Sequence, residues 1–356
     1  MHPVIKNFAP SWPSVVMGTG IVPIALLFSE SFVPLARWIG IGFFIITILL
    51  FMVILILSLV RIFFAGEDFY SDMRSPVAGN FISTLPISAM ILAIDFMQLG
   101  PRIFTEHFSM AAAMTLFVAG TAGIYVLGLA ASAIMFGNKD VKVSHATFGW
   151  FIPPVSQLIV PVAGLDLVAH LDAGPLSGAI FIVSMMSLGI GVMLFVFVGA
   201  NIYHRYLYHE LPGSKMAPTV MIGLAPTAIL VIILVKLAGL AVAPGTPWSS
   251  PAFPAMARML APMAWGFSVW WFLLAIILLS RHIKTAHVDF ALSWWALAFP
   301  LGALAVSTGA LNKLYGLNFF SWTVLALSIL LLLVWLFVVS GTIRIIANGS
   351  AFKKHE

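Results

Sequence analysis

The chain has 356 residues, of which 62% are hydrophobic and 8% are charged, and its formal net charge is +5. Soluble domains carry about 25% charged residues, so this composition predicts an integral membrane protein in contact with lipid, not a partner of nucleic acid. The sequence contains no cysteine, which excludes disulfides and thiolate metal sites.

Hydrophobic runs of transmembrane length recur along the chain. A transmembrane helix needs about 17–25 predominantly apolar residues. Ten runs fit this description, at 12–30, 38–63, 80–98, 108–136, 148–166, 176–203, 217–243, 256–280, 290–311 and 319–347. The connections between them are short and hold nearly all the charged residues. We therefore predict one all-α transmembrane domain over residues 1–356, with ten transmembrane helices arranged as five helical hairpins.

Lysine and arginine fall unevenly on the two sets of connecting segments. One set, which includes both ends of the chain, holds twelve of them, and the opposite set holds five, namely Arg37, Arg102, Lys236, Arg258 and Lys313. Because cytoplasmic loops are enriched in Lys and Arg, both termini are predicted to be cytoplasmic. We expect the protein in the plasma (inner) membrane.

Prolines alternate along the predicted helices. Every odd-numbered helix contains at least one, and the interrupting prolines include Pro23, Pro86, Pro153, Pro154, Pro161, Pro226 and Pro300. Among the even-numbered helices only the eighth has one, Pro262, near its start. Interrupted backbone is tolerated in a membrane only where it is buried in protein or lines a wet cavity. The alternation predicts that the odd helices form an inner five-helix pore, although any single proline can also be a packing kink.

Uncharged polar residues follow the same alternation. They are Thr19, Ser83, Thr84, Ser88, Ser156, Gln157, Thr227, Ser307 and Thr308. No Lys or Arg lies at the centre of an odd helix. Anion preference in such a pore would come from these polar groups, from helix-end dipoles and from backbone amides freed at the kinks.

Four motifs carry a resemblance to a known family. The segments FAPSWPSVVMGTGIV, SPVAGNF, WFIPPVSQLIVP and FALSWWALAFPLGA resemble those of the tellurite-resistance/dicarboxylate transporter family. That family includes the bacterial protein TehA, the yeast malic acid permease, fungal sulfite pumps and plant slow-type anion channels. The resemblance spans essentially the whole chain. It implies a homotrimer in which the five odd helices of each protomer form a separate pore.

The resemblance also implies that a phenylalanine of the ninth helix blocks the pore, and the matching residue is Phe299. Pro300 removes a backbone donor, which predicts a bend that aims the Phe299 ring into the lumen, where an aromatic constriction can gate. Channel members have a small pore glycine opposite this ring, and Ser14 stands at that position. The residues predicted to line the pore are Ser14, Gly18, Pro23, Pro86, Pro154, Pro226 and Pro300.

Three charged residues fall near the predicted outer ends of odd helices: Asp95, Asp166 and Lys236. Ionisable residues within a membrane are functional candidates. They predict an outer vestibule in which Lys236 meets a substrate carboxylate, or in which an acid relays a proton. The simpler alternative is an ion pair, or side chains that reach the membrane interface.

These observations predict a channel or transporter for small anions, such as chloride, nitrate, sulfite, tellurite or a C4-dicarboxylate like malate. The alternative is a proton-coupled carrier of C4-dicarboxylates or sulfite on the same scaffold. The sequence has no motif for an enzyme. We expect no cofactor and no metal, because the histidine pairs are five residues apart and do not share a helix face.

Overall fold

The computed structural model describes residues 3–241, 248–285 and 289–352. Helices and turns make up these ranges, which contain no strand, and this confirms the predicted all-α membrane fold. The ten long helices of the described residues are α1 Ser14–Leu27, α2 Leu35–Phe64, α3 Thr84–Gln98, α4 Glu106–Phe136, α5 Ile152–His170, α6 Pro175–Tyr208, α7 Ala225–Leu240, α8 Ala252–Thr285, α9 Ala298–Tyr315 and α10 Asn318–Ala347. The end of the seventh predicted span, residues 242–243, lies outside the described residues.

Nine of these helices, counted in the described part of the chain and with their 3-10 extensions, are long and apolar enough to cross a membrane. The exception is α1, which has 14 residues where the sequence predicts a span over 12–30. Turns precede it, and the amides of Ser14, Val15 and Val16 each donate to the carbonyl three residues earlier. The predicted span is therefore partly turn and partly α-helix.

A segment of 3-10 helix leads into each of the other odd helices. These segments are Ala78–Ser83, Phe148–Phe151, Ser214–Leu224 and Leu292–Leu297. At each junction the amide of the residue that follows the segment donates to the carbonyl three residues earlier, as Ala298 does to Trp295. The odd helices thus change from a 3-10 to an α geometry partway across the protein.

The prolines explain where that change occurs. Pro86, Pro154 and Pro300 are the third residues of α3, α5 and α9, and Pro226 is the second residue of α7. Proline is tolerated in the first turn because its missing N–H has little to bond there. The prediction that Pro300 bends a continuous α-helix is therefore wrong, since Pro300 lies where the α-helix begins.

The five odd helices form a closed inner ring. Each contacts the next in the order α1, α3, α5, α7, α9 and back to α1, and each also packs against the even helix that follows it in sequence. The most apolar windows of the α3, α5, α7 and α9 spans are 78% to 94% buried, whereas those of the even helices are 11% to 22% buried. The odd helices are therefore the interior, and the even helices present apolar surface outward.

The contact between α1 and α9 depends on glycine. A Cβ atom at Gly302 would lie 2.4 Å from Cγ2 of Ile21, and one at Gly309 would lie 2.3 Å from Cγ of Phe28. Carbon atoms in contact are about 3.5–4.0 Å apart, so a side chain at either position would force the two helices apart. This close approach fixes α9, which carries Phe299, against α1.

Candidate anion pathway

A cavity of about 290 Å³ lies inside the ring, and we call it the vestibule. Its floor is formed by one residue from each odd helix, in ring order Ile21, Ile91, Ile159, Ile229 and Phe299. No lining residue precedes these in its own helix. The vestibule therefore extends from the Phe299 level toward the C-terminal ends of the odd helices.

The wall above the floor is also apolar. Its next level again takes one residue from each helix, namely Ile24, Ile94, Val162, Ile232 and Ala303. Residues three or four apart in a helix share a face, so both levels point into the same space. The signal in the sequence is an I-x-x-I/V pattern, which occurs in each of the first four odd helices and was not part of the sequence prediction.

Charged side chains are concentrated at the rim. Asp166 of α5 and Lys236 of α7 line the vestibule and form an ion pair. Gln98 of α3 donates from Nε2 to the second carboxyl oxygen of Asp166, 3.3 Å away. The structure thus brings together two of the three predicted vestibule charges, as the ion pair that was the simpler alternative.

Two further cations line the rim, and the sequence reasoning did not single them out. Arg102 donates from both terminal guanidinium nitrogens to Glu30, at 2.5 and 3.1 Å. The ammonium of Lys313 lies 4.9 Å from the ring centroid of Phe28, a cation–π arrangement. In the sequence, both are charges of the Lys/Arg-poor side.

Asp95 departs from its predicted place. It does not line the vestibule, and its side chain is fully buried where α3 meets α1 and α2. A Cβ at Gly20 would lie 3.2 Å from Oδ2 of Asp95 and 3.0 Å from the methyl carbon of Thr47. Neither carboxyl oxygen has a hydrogen-bond partner within the described residues. Asp95 is therefore a buried interhelical acid and not part of the rim.

Phe299, the predicted gate, lines the vestibule, whereas the residues predicted to line the pore lie outside it. They are Ser14, Gly18, Pro23, Pro86, Pro154, Pro226 and Pro300. With the exception of Pro23, they precede the floor residue of their own helix or, for Pro300, directly follow it. A pore role for Ser14, Pro154, Pro226 and Pro300 stays a prediction about the path beyond Phe299.

Contacts account for three of these residues. A Cβ at Gly18 would lie 2.6 Å from Cε3 of Trp295, so this glycine serves the packing of α1 against the entry to α9. The ring of Pro86 lies 3.0 Å from the Cβ position of Gly123 on the outer helix α4, and the backbone of Pro23 lies 3.8 Å from the Cβ position of Gly40 on α2. These directions differ from the predicted lumen-facing ones because the space beside each residue is filled by another helix.

A closed ring of apolar helices around a cavity with a cationic rim defines a multi-pass membrane transport protein. The family model described as "Voltage-dependent anion channel", SLAC1, matches residues 7–343, and the chain belongs to this family. It is thus an anion channel or transporter, and the resemblance of the four motifs is confirmed. The family consists of channels and transporters and not of enzymes.

Individual relatives cover nearly the full length of the chain. Two proteins of Methanocaldococcus jannaschii named as uncharacterized transporters are 29% and 30% identical to it, over 99% of this chain and 97% and 99% of their own. The sulfite efflux pump SSU1 of Arthroderma benhamiae is 22% identical over 95% of this chain and 91% of its own.

Proposed function

We propose that each copy of the chain passes a small anion along the axis of the five odd helices, and that Phe299 is the gate. The observation that carries this proposal is the position of Phe299. It is the aromatic member of the vestibule floor, it is 5% exposed, and the vestibule ends at its level. A hydrophobic constriction resists hydration and so opposes the passage of an ion.

The electrostatics of the rim support an anion as the solute. Three cations, Arg102, Lys236 and Lys313, and one anion, Asp166, line the entrance, and an excess of positive charge in a cleft concentrates anions. The odd helices all run from the far side of the floor toward the rim, so their positive dipole ends lie on the far side of the floor. Weak sites of this kind suit conduction better than a single strong one.

The substrate that we favour is a small inorganic anion. The name of the fungal relative, a sulfite efflux pump, supports sulfite, and chloride and nitrate share its small size. Tellurite and the C4-dicarboxylate malate belong in the same panel of candidates. Between rim and floor, the described residues that line the vestibule are apolar and offer no fixed partner for the second carboxylate of malate.

Assembly and orientation complete the proposal. We infer a homotrimer in the plasma (inner) membrane with both termini in the cytoplasm, on the family resemblance and the distribution of Lys and Arg. The outward faces of the even helices are rich in large exposed apolar side chains, such as Leu129, Phe197 and Leu333. Such faces suit contact with lipid or with a second protomer.

The test is transport by the reconstituted full-length protein. In planar bilayers with a salt gradient, the reversal potential should follow the anion gradient, and a liposome flux panel of chloride, nitrate, sulfite, malate and tellurite should identify the substrate. A reversal potential that follows the cation gradient would contradict the proposal.

A proton-coupled carrier is the second candidate, and Asp95 favours it. A carboxyl group that is fully buried with both oxygens unpaired is costly in its charged form, so its protonation state and the packing of α1, α2 and α3 depend on each other. The flux assay with an internal pH indicator separates the candidates. A carrier moves protons in fixed ratio to the anion, whereas a channel does not.

A further inference from the structure

The ion pair between Asp166 and Lys236 connects two neighbouring helices of the ring at the vestibule rim. Both residues line the vestibule, and their side chains are 10% and 22% exposed. Surface ion pairs are screened by water and salt, while partly buried pairs are screened much less. The charges of this pair therefore act strongly on an ion that passes beside them.

The two partners are not held equally. Asp166 receives Nζ of Lys236 on one carboxyl oxygen and Nε2 of Gln98 on the other. A lysine ammonium has three donors, and Asp166 is the hydrogen-bond partner of Lys236 within the described residues. Lys236 therefore retains donors that an anion in the vestibule can accept, while Asp166 stays fixed.

The other charges at the rim determine how much positive charge is left unbalanced there. Glu30 balances Arg102 through two hydrogen bonds, and Asp166 balances Lys236. Lys313 has no ion-pair partner in the part of the chain that the structure describes and lies over the Phe28 ring. The rim thus carries one unbalanced positive charge.

We propose that Asp166 and Lys236 together select anions by valence: Lys236 binds the entering anion, and Asp166 limits the attraction so that monoanions are favoured over dianions. This inference rests on the proposed function of anion transport. The energy of an ion in an electrostatic field scales with its charge, so the Asp166 carboxylate repels a dianion twice as strongly as a monoanion. Without Asp166, Lys236 would attract a dianion twice as strongly as a monoanion and so favour its entry. The ligand class is chloride, nitrate and hydrogensulfite, as opposed to sulfate and doubly charged malate.

The experiment uses the full-length protein in bilayers and compares wild type with Asp166→Asn, Lys236→Gln and the double variant. Each is measured with and without Phe299→Ala, with chloride on one side and sulfate on the other. Asp166→Asn should shift the sulfate-to-chloride permeability ratio upward by about tenfold, since one unit charge is removed from a partly screened site. Lys236→Gln should shift the ratio downward by a similar factor, and the double variant should return to within about twofold of wild type.

A matched control is the ion pair of Arg61 and Asp72, which lies at the end of α2 and away from the vestibule. Asp72→Asn should leave the permeability ratio unchanged. If Asp166→Asn or Lys236→Gln gives no monodisperse protein, Asp166→Ser and Lys236→Met replace them.

Unchanged ratios in both single variants would overturn the inference, as would shifts in the same direction. If the pair served only to hold α5 against α7, the exchanged pair, Asp166→Lys with Lys236→Asp, would restore the wild-type ratio and the neutral double variant would not. That outcome would also overturn the inference. A current that follows the cation gradient in every protein refutes the proposed function. An anion current with an unaltered ratio refutes only the role of this pair.

Discussion

Phe299→Ala removes the aromatic part of the vestibule floor while the rest of α9 stays in place. Pro300 still begins the α-helix, and the glycine contact of Gly302 with Ile21 still fixes α9 against α1. The other four floor residues are aliphatic and unchanged. The substitution therefore tests the ring of Phe299 and little else.

The expected increase in conductance follows from the free energy of burial that is lost when the Phe299 ring is displaced to let an ion pass. Burial of a Phe side chain is worth roughly 1.5–3 kcal/mol, and displacement of the ring forfeits about that amount. At 1.4 kcal/mol per factor of ten, the open arrangement then has a population of roughly 1–10%. Phe299→Ala should accordingly raise the anion conductance by roughly 10–100-fold.

Phe299→Ala should cost less stability than the truncation of a buried aromatic residue usually does. A Phe→Ala change in a closed core costs about 3–5 kcal/mol because it leaves a cavity. Phe299 already borders a cavity of about 290 Å³ and so has fewer packing contacts to lose, and we expect a loss of about 1–2 kcal/mol.

The assay is single-channel or macroscopic current in planar bilayers, with thermal unfolding of the same preparations. Leu297→Ala is the control, because Leu297 is also buried, at 8% exposure against 5% for Phe299, but does not line the vestibule. It should lose stability without a gain in current. A stable Phe299→Ala protein with the conductance of wild type would refute the gate.

Three other outcomes are expected. Gly302→Ala should lower the free energy of unfolding by about 1–3 kcal/mol, because its Cβ would meet Ile21 at 2.4 Å. The control Gly42→Ala, whose Cβ would have no atom within 4 Å, should be near neutral in thermal melts. Equal effects of the two substitutions would refute the role of this contact. Asp95→Leu should raise the melting temperature, since it removes an unpaired buried carboxyl group worth about 1–3 kcal/mol, and Asp95→Asn should gain less; a fall in melting temperature would indicate a missing partner. A reporter after Glu356 should be cytoplasmic and one near Asp172 external, and an external C-terminus would contradict the hairpin scheme.

Much of the architecture follows from the sequence because lipid imposes strict rules. A run of apolar residues must be a helix there, and the proline alternation separates inner helices from outer ones, as the ring of odd helices shows. The positions of Pro86 and Pro300 are less informative, because proline is compatible both with a kink and with a first turn. The choice between them depends on the 3-10 segments Ala78–Ser83 and Leu292–Leu297, which have no clear periodicity of their own.

The rim could not be predicted in the same way. Asp95 and Asp166 look equivalent in sequence, near the ends of two apolar helices, yet one is enclosed between α1, α2 and α3 and the other meets Lys236. The difference lies in helix rotation, which an apolar helix with little amphipathic pattern does not reveal. The pairing across α5 and α7 also requires the order of the ring, which depends on packing between residues far apart in sequence.

The hydroxyl groups of the odd helices bond to backbone carbonyls, and their part in anion preference stays a prediction. Thr19, Thr84, Ser88, Ser156, Thr227, Ser307 and Thr308 each donate a side-chain hydroxyl to a backbone carbonyl three or four residues earlier. A proline removes a donor and so leaves carbonyls, not amides, in need of partners. Thr84 and Ser88 also reach the carbonyls of Pro10 and Pro13.

None of these hydroxyls lines the vestibule. The consequence for transport is a separation of tasks along the path. The wall from rim to floor is aliphatic, so it discriminates little between one small anion and another. In the proposed function, attraction and selection by valence depend on the charged residues at the rim, and closure depends on the Phe299 ring at the floor. Because the two levels share no residue, a substitution at one can change selectivity or conductance without changing the other.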